Sequence, residues 1–168
     1  MHVVQGSDAL GQHSLSYFQS ASTFGALSEE TLLWLFQEGT VYALEKGEVL
    51  FEPDERGDAF FVILEGEIAY YKCHEGKYAH IRDYKRGEQI GFMSMIALHN
   101  RVGSGIALSD GMVLEVNTEL FHRLHEKAPL DFGLLMMNLA REMARTLRTV
   151  DNIIVKKVHA GPSDEPIS

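Results

Sequence analysis

The residues best placed to do chemistry lie between Arg86 and Leu108, in the run RGEQIGFMSMIALHNRVGSGIAL. Gly91 follows a short strand-like end and opens a stretch, Phe92 to Leu98, that reads as a helical turn; Arg101 stands nine residues after Phe92. A glycine turn feeding a helix start offers backbone N–H groups, and an arginine adds a fixed cation. That spacing suits an anion such as a phosphate. Two residues cut against it: bulky Phe92 sits directly after Gly91, and apolar, branched Val102 directly after Arg101. Arg101 therefore has two readings, an anion contact or a structural arginine that pairs with an acid or caps carbonyls. Phe92 likewise is either core filler or the lining of an altered pocket.

Other constellations are weaker. His122 and His125 are one helical turn apart, but two ligands do not make a metal site and the sequence places no third. Cys73, His74 and His80 share a hairpin-like run, CHEGKYAH, and read more plainly as surface residues. Glu29 and Glu30 are helix-start acids rather than an acid–base pair. There is no nucleophile elbow, Walker motif or dinucleotide fingerprint, so neither an enzyme nor a metal centre is expected.

The elements that must position Gly91 and Arg101 fall into three textures. Residues 1–22 are polar and poorly patterned and are expected to form a loose arm with at most a short helix. ALSEETLLWLFQEG (26–39) predicts a helix capped by Ser28 and ended by Gly39, with Trp34 in the core or at an interface. From Val41 to Val116, short apolar runs are punctuated by glycines at 47, 57, 66, 76, 87, 91, 103, 105 and 111, the mark of a barrel, sandwich or roll. AFFVILEGEIAYY is apolar on both strand faces in its first half, so both faces should be covered. NTELFHRLHEKAP predicts a short helix over 118–127, and residues 130–158 a long one without internal proline. Along it, Ala140, Leu147 and Ile154 repeat every seven residues, as do Met136, Met143 and Val150; the two rows make an a/d seam for a second copy or the packing face on its own domain. Residues 159–168 read as a disordered tail.

This order resembles the cyclic nucleotide-binding domain of catabolite-activator-type regulators and of kinase regulatory subunits, over about residues 24–158. The strongest likeness is EKGEVLFEPDERGDAFFVILEGEIAYYK, where Gly47, Gly57, Asp58 and Gly66 fall at the family's turn positions. The resemblance implies a mostly β fold with flanking helices: a double-stranded β-helix, a jelly-roll-like β-roll, followed by a short helix and a long C-terminal helix. It implies a phosphate cassette in which Gly91 takes the glycine position, Phe92 that of the ribose-binding glutamate, and Arg101 that of the phosphate-binding arginine. Met93 and Ser94 then lie on the cassette helix, and Val102 and Gly103 where small or hydroxyl residues are usual. Val150 and Asp151 fall where catabolite-activator-type members reach the adenine. The implied ligand is a cyclic nucleotide, cAMP or cGMP, bound weakly because Phe92 cannot accept a ribose hydrogen bond; the alternative is a ligand-free dimerisation module with a closed pocket.

Composition bounds the rest. With 168 residues, 45% hydrophobic and 23% charged, this is one soluble-type domain with its own core. Acids outnumber Lys plus Arg by 24 to 15, a formal charge of −9, and only ten residues follow Val158, so direct DNA binding is not expected. The single Cys73 excludes an internal disulfide and points to a reducing compartment, the cytoplasm. The N-terminal run is not expected to be a signal peptide, and no run is long and apolar enough to be expected to span a membrane. The expectation is a non-enzymatic sensor domain, a homodimer through the long helix, signalling to an unidentified protein partner.

Overall fold

A computed structural model describes residues 1–159. Nine strands and six helices follow one another as β1 (His2–Val4), α1 (Gly6–Gln12), α2 (Leu15–Gln19), α3 (Glu29–Glu38), β2 (Thr40–Leu44), β3 (Val49–Phe51), β4 (Ala59–Glu65), β5 (Glu67–His74), β6 (Lys77–Lys85), β7 (Gln89–Ile90), α4 (Phe92–Ile96), β8 (Gly103–Ala107), β9 (Gly111–Asn117), α5 (Thr118–Lys127) and α6 (Pro129–His159). One antiparallel sheet runs β1-β2-β9-β4-β7 and the other β3-β8-β5-β6. Together they form the expected roll, with helices before and after it.

The doubly apolar run in β4 has the expected consequence. Phe60, Val62 and Leu64 enter one core with α3, α5 and α6, while Phe61 and Ile63 enter a second core inside the roll. β9 does the same with Leu114 and Val116 on the helix side and Val113 inside. Side chains alternate across a strand, so a strand apolar at every position must be sandwiched. Ser28 caps α3 by accepting from Thr31 N (3.2 Å), and Asn117 caps α5 by accepting from Leu120 N (2.9 Å).

The first 22 residues depart from the expected loose arm. β1 pairs with β2, Val4 opposite Val41, and Ala9 and Phe18 are buried in the helix-side core. Tyr17 stacks on His13 and lies under Arg86, whose guanidinium is 4.2 Å from the ring centroid. The sparse apolar residues of this segment carry no periodic signal, and β1 depends on a partner strand about forty residues away. Residues 160–168 of the expected tail lie outside the described residues.

α6 divides its faces clearly. Leu135, Asn138, Leu139 and Glu142 are buried against the rest of the chain, and Met136 and Met143 are half-buried beside them. Ala140, Leu147 and Ile154 are exposed, and so are Met137 and Ala144. Of the second row expected at Met136, Met143 and Val150, the two methionines thus lie along the edge of the domain's own core, and Val150 is half-buried farther along the helix. Met137 and Ala144 lie beside the 140/147/154 row on the exposed face instead.

Candidate functional site

Gly91 is the pivot between β7 and α4. Its φ of 96° is left-handed, and a Cβ there would lie 2.5 Å from Arg101 Nη1. Both the backbone and the neighbouring guanidinium therefore require glycine. The backbone of Arg101 is fixed on the β3–β4 loop: its N–H donates to Glu55 O (2.8 Å) and its carbonyl accepts from Asp54 N (2.9 Å).

The side chain of Arg101 turns inward. Nη1 donates to the Gly91 carbonyl (3.0 Å) and Nη2 to the Ala59 carbonyl (2.6 Å). The guanidinium carbon stands 4.7 Å from the Phe51 ring centroid and 5.6 Å from that of Phe61. Arg101 is only 4% exposed, and its Nε is buried without a hydrogen-bond partner among the described residues. Burial pulls its pKa below the ordinary arginine value, while the carboxylates of Asp58, Glu55 and Glu115 act in the opposite sense. Of these, Asp58 is engaged by Arg56 (2.9 Å).

Phe92 points elsewhere. It is fully buried in the helix-side core, edge-on to Phe60 (centroids 5.5 Å) and against Phe121 (6.0 Å). It fills core between β4, α4 and α5 and does not line the roll interior beside Arg101, the plainer of the two readings made from sequence. Ser94 is buried under α4, Met93 is exposed on its outer face, and Val102 is partly exposed. Gly103 packs so tightly on β5 that a Cβ would sit 2.3 Å from the Tyr71 carbonyl and 2.8 Å from the Tyr70 ring. Val150 and Asp151 are not brought to the cassette within one chain: Val150 is half-buried and Asp151 exposed on the outer half of α6.

The roll interior beside Arg101 is aromatic, a feature missed from sequence. Phe51, Phe61, Ile63, Ile68 and Ile90 are buried there. Tyr70 and Tyr84 pack edge-on at its rim (6.4 Å), with the Arg82 guanidinium 4.2 Å over Tyr84. Burial raises the pKa of both phenols. Strand alternation in EIAYYK could have placed Tyr70 inside with Ile68.

Two further features bear on the site. An open cleft of about 550 Å³ lies between Arg56–Asp58, Leu98–Asn100 and Asn117–Glu119, and none of the site residues expected from sequence lines it. His122 and His125 stack at 6.3 Å with Glu126 3.5 Å from His122, and no group of three or more metal-ligating side chains occurs among the described residues. Nor is any described helix long and apolar enough to cross a membrane.

Comparison with known proteins fits this geometry. Residues 41–128, just over half the chain, match the cyclic nucleotide-binding domain model. The chain belongs to the cyclic nucleotide-binding domain family. Among solved structures, a cyclic nucleotide-binding domain from Methylobacillus flagellatus KT superposes with a TM-score of 0.77 at 23% identity, covering 99% of this chain and 92% of that one. A regulatory subunit of a cAMP-independent protein kinase A from Trypanosoma cruzi, bound to guanosine, gives 0.68 at 18% identity, over 94% of this chain and 54% of that one. Among curated proteins, neuropathy target esterase sws of Drosophila ananassae is 25% identical over 117 residues, 69% of this chain. This chain spans only 7% of that esterase's length. The structural likenesses establish the roll and its helices. The family is a ligand-binding, regulatory one, and the esterase likeness runs through this binding domain alone.

Proposed function

We propose that this cyclic nucleotide-binding-type domain is a non-enzymatic sensor. Its ligand is a small anion, a cyclic nucleotide or close analogue held weakly in the roll, and it signals to a protein partner by moving α5 and α6 as part of a homodimer. The observation that carries the reading is Arg101. A cation withdrawn from water is costly unless its donors and its charge are met. Here two backbone carbonyls meet two donors, Nε meets none, and no carboxylate is in contact among the described residues. An entering anion would supply the missing charge. Phe92 supplies nothing to a sugar, and loss of a charged-group hydrogen bond worth about 1.5–3 kcal/mol weakens binding roughly ten- to a hundredfold. The guanosine-bound, cAMP-independent relative is a reason to test ligands other than cAMP, although guanosine itself carries no charge to meet Arg101.

A second reading, a roll closed on itself that works only through protein contacts, is favoured by the same two carbonyl bonds and by the packing of Phe51 and Phe61 around the guanidinium. Thermal melting with cAMP, cGMP and guanosine separates the two, since a ligand that binds only the native state raises the midpoint by mass action. A rise with a cyclic nucleotide that disappears in Arg101→Ala supports the sensor. No rise with any of the three at millimolar concentration supports the closed roll.

A further inference from the structure

We propose that Glu142 is a latch that fastens both α6 and the N-terminal segment to the cassette, so that α6 cannot leave the roll without releasing the strand that enters α4. Glu142 is 7% exposed, the last buried side chain along α6 among the described residues. Its carboxylate joins three parts of the chain. Oε1 accepts from Ser22 Oγ (2.6 Å) and Thr23 Oγ1 (2.8 Å), and Oε2 from Gln89 N (3.2 Å). Gln89 passes the link on, because its side-chain Oε1 accepts from Phe92 N (3.2 Å), and Phe92 follows the Gly91 whose carbonyl holds Arg101. The N-terminal side is closed by Thr23 N, which donates to the Gly87 carbonyl at 3.0 Å; the same carbonyl lies 3.0 Å from Ser22 Oγ, whose single proton is shared with the shorter bond to Glu142.

The neighbouring contacts reinforce the same junction. One turn earlier on α6, Asn138 Nδ2 donates to the carbonyls of Thr23 (3.2 Å) and Gly25 (2.8 Å). One turn later, Arg82 bridges Thr146 (3.2 Å) and Glu88. Leu135 and Leu139 would hold a helix by apolar packing alone. A carboxylate at the next inward position adds a desolvation cost that only its donors offset, and losing one leaves a buried charge under-bonded. The bonds therefore hold or fail together, which is what a latch requires and simple packing does not.

The test is hydrogen–deuterium exchange on the full chain without ligand, comparing wild type with Glu142→Leu, which keeps an inward apolar side chain but no acceptor. The latch predicts that amides in 20–25 and 87–96 exchange at least tenfold faster, together with those of α6, while β4 and β9 keep wild-type rates. Acceleration confined to α6, with 87–96 unchanged, would overturn it. Should that variant not fold, Thr23→Val removes one donor and leaves the carboxylate in place. It should give the same pattern at smaller amplitude, and wild-type rates at 20–25 and 87–96 would again refute the latch. No nucleotide enters the experiment, so a domain that binds none still tests the latch, and a failed latch leaves the nucleotide titration to be judged separately.

Discussion

Arg101 braces the protein as well as offering a charge, and the two roles have different signatures. Removing its side chain takes the close donor from the buried Ala59 carbonyl and leaves the Gly91 carbonyl only the long bond from Met95 N (3.4 Å), at about 1–3 kcal/mol for a buried group left unsatisfied. Arg101→Ala should therefore lower stability in urea by at least about 1 kcal/mol without any ligand. A neutral effect would mean that the inward pose carries no structural weight. Phe92 behaves as core: Phe92→Ala should cost about 3–5 kcal/mol, and Phe92→Glu should be worse because it buries an unpaired charge, so glutamate there should not restore sugar binding. Glu142 sets a pH dependence. Burial raises its pKa above the ordinary 4.5, against the lowering by Ser22, Thr23 and Gln89. The folded chain then holds this proton to higher pH than the unfolded chain. Its contribution favours folding most below 4.5 and is lost as pH rises through the folded value. The stability of wild type relative to Glu142→Gln, from urea melts, should thus be greater near pH 4.5 than near pH 7.5. An unchanged or reversed gap would contradict the burial argument.

At the scale of elements, the sequence shows where glycines turn the chain but not which way side chains face after the turn. Most strands of the roll, with α3, α5 and α6, were legible because apolar period and capping residues are local signals, whereas β1 was not. Gly91 and Arg101 were legible as a pair because their spacing is a chain property. That Arg101 folds back onto Gly91 was not, because the direction depends on Ala59, Phe51 and Phe61 from other strands. Phe92 was ambiguous for the same reason, since Phe60 and Phe121 decide its side. Glu142 was overlooked although Leu135, Asn138, Leu139 and Glu142 share one helical face, because a glutamate in a helix reads as solvated until its donors are placed. Gly91→Ala meets a left-handed backbone, costing about 1–2 kcal/mol, and also crowds Arg101. The melting midpoint should fall, and a loss under about 0.5 kcal/mol would show that the pivot can relax.

At the scale of the whole molecule, α6 carries more apolar surface than one domain uses. Met137, Leu147 and Ile154 are 51%, 63% and 54% exposed, and with Ala140 and Ala144 they follow the 3/4 spacing of a helical seam. The stripe begins beside the domain's own core and continues past Glu142, beyond which no side chain is buried among the described residues. The proposed second copy of α6 would fit it, since small Ala140 and Ala144 would allow close approach at one end and Leu147 and Ile154 would supply bulk toward the other. Asp151 falls in the same stripe, between Leu147 and Ile154. In a parallel pair it would face its own copy, a polar seam position that sets register at a cost in stability. Two opposite changes therefore test one seam. Leu147→Asp with Ile154→Asp should shift the protein to monomer in sedimentation velocity, and Asp151→Leu should tighten the dimer, lowering the concentration at which it dissociates. A monomeric wild type, or a dimer indifferent to both changes, would place the apolar stripe against something other than a second copy.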